Sequence, residues 1–147
     1  MGTKSSYRQF ATFLVRSNLY GVDVADVQEV VKQLPVTPVP LAHVSVKGLI
    51  NLRGKVATAI CLRTLFHIPE EPLEFMNVVC CIRNTLIALQ VDEIGDVLEI
   101  EDDTIKPLPS NASHALKAYC SGISKQPEFL VSILDLNCLA NDLCLSN

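Results

Sequence analysis

The chain has 147 residues, of which 49% are hydrophobic and 19% charged, and its formal net charge is −4. This composition excludes a disordered tail and is typical of a compact soluble domain with a substantial core. A negative chain with 5% aromatic residues and no tryptophan lacks the positive charge and the base-stacking surface of a nucleic-acid-binding protein. No apolar run reaches the roughly 18 residues that cross a bilayer, and the polar N-terminus lacks a signal peptide's apolar segment. We therefore expect a cytoplasmic protein with no direct membrane insertion.

The sequence of the first part of the chain predicts two short strands joined by a turn, followed by a capped helix. Residues 10–16 (FATFLVR) and 19–24 (LYGVDV) are predicted to form a hairpin. Asp23 is predicted to cap a short helix after it. One face of that helix would carry four valines: Val24, Val27, Val30 and Val31. Three prolines within residues 35–40 then favour extended or turn structure.

Residues 46–62 predict a second hairpin that reverses at Gly54. Alternation predicts one apolar face, made of Val46, Gly48, Ile50 and Leu52. The opposite face carries Lys47, Leu49, Asn51 and Arg53. The five donors of Arg53 at the tip either hold carbonyl or carboxylate groups of the fold or recognise a partner, and the face shared with Lys47 and Asn51 favours recognition. We assign Asn51 and Gly54 to the turn itself.

The second half of the chain repeats the order of the first. Residues 78–82 and 86–91 predict another hairpin. Val22-Asp23 aligns with Val91-Asp92, and the Gly48 hairpin aligns with a later one around Gly122. The repeat predicts two related all-β units of about five short strands each, the number that closes a small barrel. Neither half builds a stable core easily, so one cooperative domain is expected.

The domain prediction is a single domain spanning residues 1–147. Its approximate subdomains are residues 9–75 and 76–140, and an exchange of strands between them is left open. The end of the chain, CLANDLCLS at 138–146, is predicted to form a short amphipathic helix that covers an open side.

Motifs for catalysis, cofactors or metals are missing from the sequence. The six cysteines include no C-x-x-C pair and are interpreted as reduced core residues, while the three histidines lie too far apart for a metal site. The acidic residues at 92–103 do not follow the order of a calcium loop, so a solvated strand edge is predicted there. No nucleophile or phosphate-loop signature occurs. We therefore expect no catalytic residue, no metal, no cofactor and no enzymatic activity.

Three segments together resemble the CheW family of chemotaxis coupling proteins. They are YGVDVADVQEV at 20–30, VKGLINLRGKV at 46–56 and VDEIGDVLEI at 91–100, and the resemblance runs from about residue 9 to residue 140. It implies an all-β fold of two SH3-like five-stranded β-barrel subdomains packed together. It also implies a non-enzymatic adaptor that is recruited to membrane receptor arrays. The implied partners are a chemotaxis histidine kinase, bound through its own CheW-like regulatory domain, and the cytoplasmic tips of chemoreceptors.

The resemblance also implies where partners bind. The receptor-binding residues carried over to this sequence are Val27, Glu29, Lys47, Gly48 and Arg53. Kinase contacts are expected around residues 35–40 and after residue 100. The chain departs from the family at Cys61, where relatives carry an acidic residue that the second unit keeps as Asp135. If that carboxylate pairs with an arginine in relatives, the pairing is lost here.

Two alternatives to a flagellar adaptor remain open at this point. One is an adaptor in a divergent chemosensory system, such as one that controls pilus motility. The other is a sensor that holds a small ligand in a barrel cavity. Small barrels normally fill with side chains, so the sensor hypothesis requires an open pocket with a polar lining.

Overall fold

The computed structural model describes residues 6–71 and 74–143. The described part forms eleven strands and three short α-helices, which confirms the predicted all-β class. The strands of the first half are β1 (Tyr7–Val15), β2 (Asn18–Asp23), β3 (Val27–Lys32), β4 (Val46–Leu52) and β5 (Lys55–Cys61). Those of the second half are β6 (Met76–Ile82), β7 (Thr85–Val91), β8 (Glu93–Glu101), β9 (Ile105–Lys106), β10 (Cys120–Lys125) and β11 (Leu130–Leu134). The helices are α1 (Leu62–Leu65), α2 (His114–Tyr119) and α3 (Leu136–Asp142).

None of the helices within the described ranges is long and apolar enough to cross a membrane.

The strands form two mixed sheets with matching orders. Sheet A has the order β8-β1-β2-β11-β10-β9, and sheet B has the order β3-β6-β7-β5-β4. In the sequence repeat, β3 corresponds to β8, β6 to β1, β7 to β2, β5 to β11 and β4 to β10. The order of sheet B therefore translates to β8-β1-β2-β11-β10, which is the order of sheet A without its last strand, β9. In each sheet one parallel pairing joins the two halves of the chain, β2 with β11 and β5 with β7. The repeat in the sequence is therefore a repeat in structure.

Each sheet takes its central hairpin from the other half of the chain. The β1–β2 hairpin lies in sheet A among strands of the second half, and the β6–β7 hairpin lies in sheet B among strands of the first. The sheets therefore divide the chain differently from the predicted boundary between 75 and 76. The exchanged hairpins are held in place by one parallel and one antiparallel pairing in each sheet: β2 with β11 and β1 with β8 in sheet A, and β7 with β5 and β6 with β3 in sheet B.

A single bent segment links the two edges of each sheet. In sheet B the chain leaves β3 and returns to β4, where the Thr37 amide donates to the Leu49 carbonyl at 2.9 Å and the reverse bond is 2.8 Å. In sheet A a 3-10 turn (Asp102–Thr104) separates β8 from β9, which pairs with β10 at the opposite edge. Each sheet therefore curls towards a small closed barrel.

The largest core cluster lies between the two sheets. It combines buried side chains of β1 and β2 with those of β5 to β7, and α2 and α3 add to it. Two smaller clusters belong to single sheets, one around Ile50 and Val79 in sheet B and one around Phe10 and Val131 in sheet A. Because most buried residues belong to the shared cluster, the two sheets fold as one cooperative body.

The predicted helix after Asp23 is wrong over most of its length. Asp23 does act as a cap, since its Oδ1 accepts from the Ala25 amide at 2.9 Å, but it caps a 3-10 turn (Val24–Asp26). The chain then continues as β3, which pairs with β6. β-Branched valines suit a pleated strand, and long-range pairing with β6 overrides the helical spacing.

The alternation predicted for residues 46–53 is confirmed, because Gly48, Ile50 and Leu52 are buried while Leu49, Asn51 and Arg53 are exposed. The C-terminal helix exists but begins earlier, at Leu136, with Asp135 as its cap. Residues 144–146 of the predicted helix lie outside the described residues. Sequence inspection missed α2, which Ser113 caps by accepting from the Leu116 amide.

Two glycines of the second hairpin give a direct test of the barrel closure. A Cβ on Gly48, at φ +145°, would lie 2.1 Å from the Thr37 carbonyl oxygen, whereas a Cβ on Gly54, at φ +89°, would meet nothing within 4 Å. We expect Gly48→Ala to lower the free energy of unfolding by roughly 3 kcal/mol and Gly54→Ala by roughly 1 kcal/mol. Urea unfolding measures both. Equal losses in the two variants would contradict the close approach at Gly48.

Candidate functional site

The β4–β5 turn brings two of the predicted site residues into contact. Arg53 lies in the turn and Glu29 lies on β3, and their side chains form an ion pair. The Arg53 side chain is 76% exposed, against 24% for Glu29. β3 and β4 are the two edges of sheet B, so the pair spans the closure of the barrel. Arg53 therefore serves the fold while most of its guanidinium remains open to a partner.

The backbone of the turn explains why the tip has the sequence Arg-Gly. Arg53 has φ 53° and Gly54 has φ 89°, both in the left-handed region. Two-residue hairpin loops with positive φ at both positions match the twist of the strands they join. The Asn51 Oδ1 accepts from the Gly54 amide at 2.9 Å and fixes the reversal. This geometry places the Arg53 side chain at the tip of the hairpin, where it pairs with Glu29 and stays mostly exposed.

Lys47 takes part in a second ion pair on sheet B. Its Nζ lies 2.7 Å from the Glu70 Oε2, and the Thr64 hydroxyl donates to the same oxygen at 2.8 Å. The hydrogen bond from Lys47, followed by that from Thr64, holds the pKa of Glu70 below its ordinary value. Lys47 thus anchors the segment after α1 to β4 and does not contact the Arg53–Glu29 pair directly.

The other two predicted site residues have structural surroundings. Val27 is half-buried and packs against the core between the sheets. Gly48 is buried, with the Thr37 backbone directly above it. Contact between either residue and a receptor stays a prediction.

Arg63 and Asp92 form an ion pair that the sequence interpretation missed. The Arg63 Nε lies 2.9 Å from one Asp92 carboxylate oxygen, and its Nη2 lies 2.6 Å from the other. The exposed fractions of the side chains are only 12% and 20%. Arg63 follows β5 and Asp92 follows β7, so the pair crosses the parallel junction of the two halves. The alignment of Asp92 with Asp23 was the sequence signal that marked this position.

The same contacts explain how Arg63 is satisfied although Cys61 carries no carboxylate. Asp92 supplies a bidentate carboxylate from a neighbouring strand, and the Pro69 carbonyl accepts from the Arg63 Nη1 at 2.7 Å. The hydrogen bonds from Arg63 lower the pKa of Asp92 below its ordinary value, and the Arg16 amide, which donates to the same carboxylate, contributes in the same direction. Arginine pairing is therefore present in this chain.

Apolar side chains remain exposed at two places on sheet B. Leu41 is fully exposed and Val44 is 72% exposed, both in the segment that follows the prolines. A groove of about 420 Å³ runs between this segment and Leu49. A second groove of about 600 Å³ lies on the outer face of the sheet beside Val56 and Leu86. Exposed apolar surface in grooves is typical of protein-interaction sites.

Metal and thiol chemistry have little support in the described ranges. No group of three His, Cys, Asp or Glu residues there is placed to hold a metal ion. The thiols of Cys61, Cys80, Cys81, Cys120 and Cys138 are free, and Cys144 lies outside the described residues. Burial raises the pKa of the Cys80 and Cys120 thiols to about 12, which keeps both thiols protonated and unreactive.

Comparison with known proteins assigns the fold to a family. The CheW-like domain matches residues 9–144 of the sequence. The chain belongs to the CheW-like domain family. A chemotaxis protein CheW of Treponema pallidum is 27% identical over 143 residues, which cover 93% of this chain and 84% of that protein. The chemotaxis protein CheW of Bacillus subtilis is 29% identical over 127 residues, covering 85% of this chain and 81% of that protein.

A solved structure of a CheW-like protein has the same fold. The crystal structure of the scaffolding protein TtCheW from Thermoanaerobacter tengcongensis superimposes with a TM-score of 0.79 at 29% sequence identity. The match covers 88% of this chain and 90% of that chain. The two-sheet architecture described above is therefore the CheW-like fold along nearly the whole chain.

The Arg63–Asp92 pair predicts a specific dependence of stability on pH. At neutral pH we expect Asp92→Asn to lower the free energy of unfolding by about 2 kcal/mol, between the values for exposed and buried pairs. The pKa of Asp92 is lower in the folded chain than its ordinary value of 3.8. The contribution of the pair to the free energy of unfolding is therefore complete above about pH 5. It is lost as the pH falls through the pKa of Asp92 in the folded chain.

Urea unfolding of both proteins between pH 7 and pH 2.5 measures this contribution. The difference between wild type and variant should shrink below about pH 4 as Asp92 becomes protonated in the wild type. Glu99→Gln, a change at an exposed residue of β8, is the control and should leave stability nearly unchanged. A difference that stays constant down to pH 2.5 would contradict the ionic origin of the effect.

Proposed function

We propose that this protein is a non-enzymatic adaptor that couples membrane chemoreceptors to a chemotaxis histidine kinase in a signalling array. The family match over residues 9–144 carries the proposal. The structural likeness to a scaffolding protein over most of the chain supports it. The exposed Arg53 on a rigid two-residue turn gives the fold a charged contact point.

The receptor site is proposed on sheet B, around the Arg53–Glu29 pair. The residues assigned to it are Val27, Glu29, Lys47, Gly48 and Arg53. The exposed side chain of Leu49, on the same face of β4 as Asn51, offers apolar area. Rim charges fix the orientation of a partner and speed its encounter more than they add affinity, so apolar contact supplies the binding energy.

The kinase site is proposed on the segment that follows β3, around residues 35–40, and after residue 100. Leu41 and Val44 extend the first of these surfaces, since both are exposed and border the 420 Å³ groove. A CheW-like domain of the kinase is the proposed occupant. The two proposed surfaces adjoin where the Thr37 backbone covers Gly48, so a receptor and a kinase bound to them would be neighbours on sheet B.

Recruitment to the membrane follows from the proposed partners. Each contact is modest in area, and repeated contacts in an array raise the effective concentration of the adaptor at the receptors. The same adaptor chemistry also suits a divergent chemosensory system, and co-purification with the receptors and kinases of the organism separates the two pathways.

The role of Arg53 in coupling can be separated from its role in folding. We expect Arg53→Ala to fold normally and to fail to restore receptor-dependent control of kinase activity in a reconstituted assay. Truncation of an interface arginine weakens binding by about tenfold, whereas loss of an exposed ion pair costs less than about 1 kcal/mol of stability. Arg16→Ala is the matched control, because Arg16 is also exposed in a hairpin turn and has φ 60°.

A charge swap sharpens the same experiment. The double variant Glu29→Arg with Arg53→Glu keeps an ion pair at the barrel closure but exchanges the positions of its charges. We expect it to fold as well as the wild type and still to fail in coupling. If the swap variant restored kinase control, the ion pair would serve only the fold. If Arg53→Ala gave full kinase control, Arg53 would not belong to the receptor site. Circular dichroism establishes folding in each case.

A further inference from the structure

A row of polar residues lies at one end of the inner face of sheet B. Asn77 on β6 is paired with Gln90 on β7, and Gln90 is in register with Cys61 on β5. The preceding row on the same face, which includes Ala88 and Ala59, belongs to the core cluster inside this sheet. The exposed fractions of Asn77, Gln90 and Cys61 are 1%, 8% and 6%. The mouth of the barrel is therefore polar where its interior is apolar.

Above this row is a cavity of about 220 Å³. Gln90 and Cys61 lie at its base, and Arg63 and Asp92 form part of its wall. Glu71, Glu74 and Phe75 contribute to the rim. Mouths of β-barrels are common positions for small-ligand sites. The volume corresponds to roughly seven water molecules at about 30 Å³ each, which limits a ligand to a small molecule or a single side-chain head.

Gln90 on β7 places a polar side chain in the lining of the cavity. Within the part of the chain that the structure describes, its side chain makes no hydrogen bond, although it is more than nine-tenths buried. In the same row, the Asn77 Oδ1 is fully shielded from solvent and has no hydrogen-bond partner among the described residues. A polar side chain that is mostly buried and makes no hydrogen bond in the fold leaves a donor and an acceptor available to a ligand in the cavity.

The other side chains that line the cavity differ in whether they already have a hydrogen-bond or ion-pair partner. The Arg63 guanidinium is held by Asp92 and the Pro69 carbonyl, which leaves few of its donors free. Glu71 makes only a long contact of 3.9 Å with Arg63. Among the described residues no ion pair involves Glu74. Among the described residues, the lining groups that remain free are thus the carboxylates of Glu71 and Glu74 and the side-chain amides of Gln33 and Gln90.

We propose that this cavity binds a small cationic group, a guanidinium or a primary ammonium. The carboxylates of Glu71 and Glu74 supply the negative charge, and the Gln90 carbonyl oxygen supplies a buried acceptor. Phe75 at the rim offers a ring for the cation or its apolar stem. The cation comes either from a free small molecule or from an arginine or lysine side chain of a bound protein. The site does not depend on the adaptor function proposed above.

Methylguanidinium is the probe, and methylurea is its neutral counterpart of similar shape. The full-length protein labelled with ¹⁵N is titrated with each, and amide chemical shifts are followed. Methylguanidinium should give saturable shifts at the backbone amides of Cys61 and Gln90, and methylurea should not. Glu74→Gln and Gln90→Met should each weaken binding by roughly tenfold or more, as expected for the loss of one charge-assisted hydrogen bond. Glu99→Gln on sheet A should leave the affinity unchanged.

Agmatine and the blocked tripeptide acetyl-Gly-Arg-Gly-amide distinguish the two sources of the cation. Tighter binding of agmatine supports a free small molecule, and equal or tighter binding of the tripeptide supports a side chain of a partner. The proposal is overturned if methylguanidinium gives no saturable shift at these amides, if methylurea binds equally well, or if Gln90→Met retains a native spectrum and full affinity.

Discussion

The parallel pairing of strands from opposite halves of the chain is the constraint on which this structure depends. β2 pairs with β11 and β5 pairs with β7, so each sheet holds a central hairpin from the other half. Neither barrel can separate from its neighbour without exposing the core between the sheets. The Arg63–Asp92 pair adds a mostly buried ion pair at one of these parallel pairings. Two barrels that are each too small to be stable alone therefore form one cooperative domain.

Stiffness is the property that an adaptor of this size needs. Partners that bind a pre-organised surface lose less conformational entropy, and the relative orientation of two surfaces on one rigid body is fixed. The Arg53–Glu29 pair and the exposed segment around Leu41 are both attached to sheet B. In this arrangement the charged turn orients a partner, and apolar grooves retain it.

The sequence predicted the structural features that are set by residues close together along the chain. It missed the contacts between residues that are far apart along the chain. Alternation from Lys47 to Arg53 predicted the buried and exposed faces of β4, and the glycine at 54 predicted the turn. β3 was mistaken for a helix because its valines fit both periods, and only pairing with β6 decides between them. The exchange of hairpins, the partner of Arg63 and the polar barrel mouth at Gln90 all join residues more than 12 positions apart. Local patterns carry no information on such contacts.

Native-state hydrogen exchange of the full-length chain tests whether the exchanged hairpins make the two barrels one cooperative unit. Amides of β2 and β11 in sheet A and of β5 and β7 in sheet B should exchange through the same global opening. Their opening free energies should then converge on a single value as urea is added. Two distinct plateaus, one for each sheet, would contradict the account, because they would show that either barrel opens while the other stays folded.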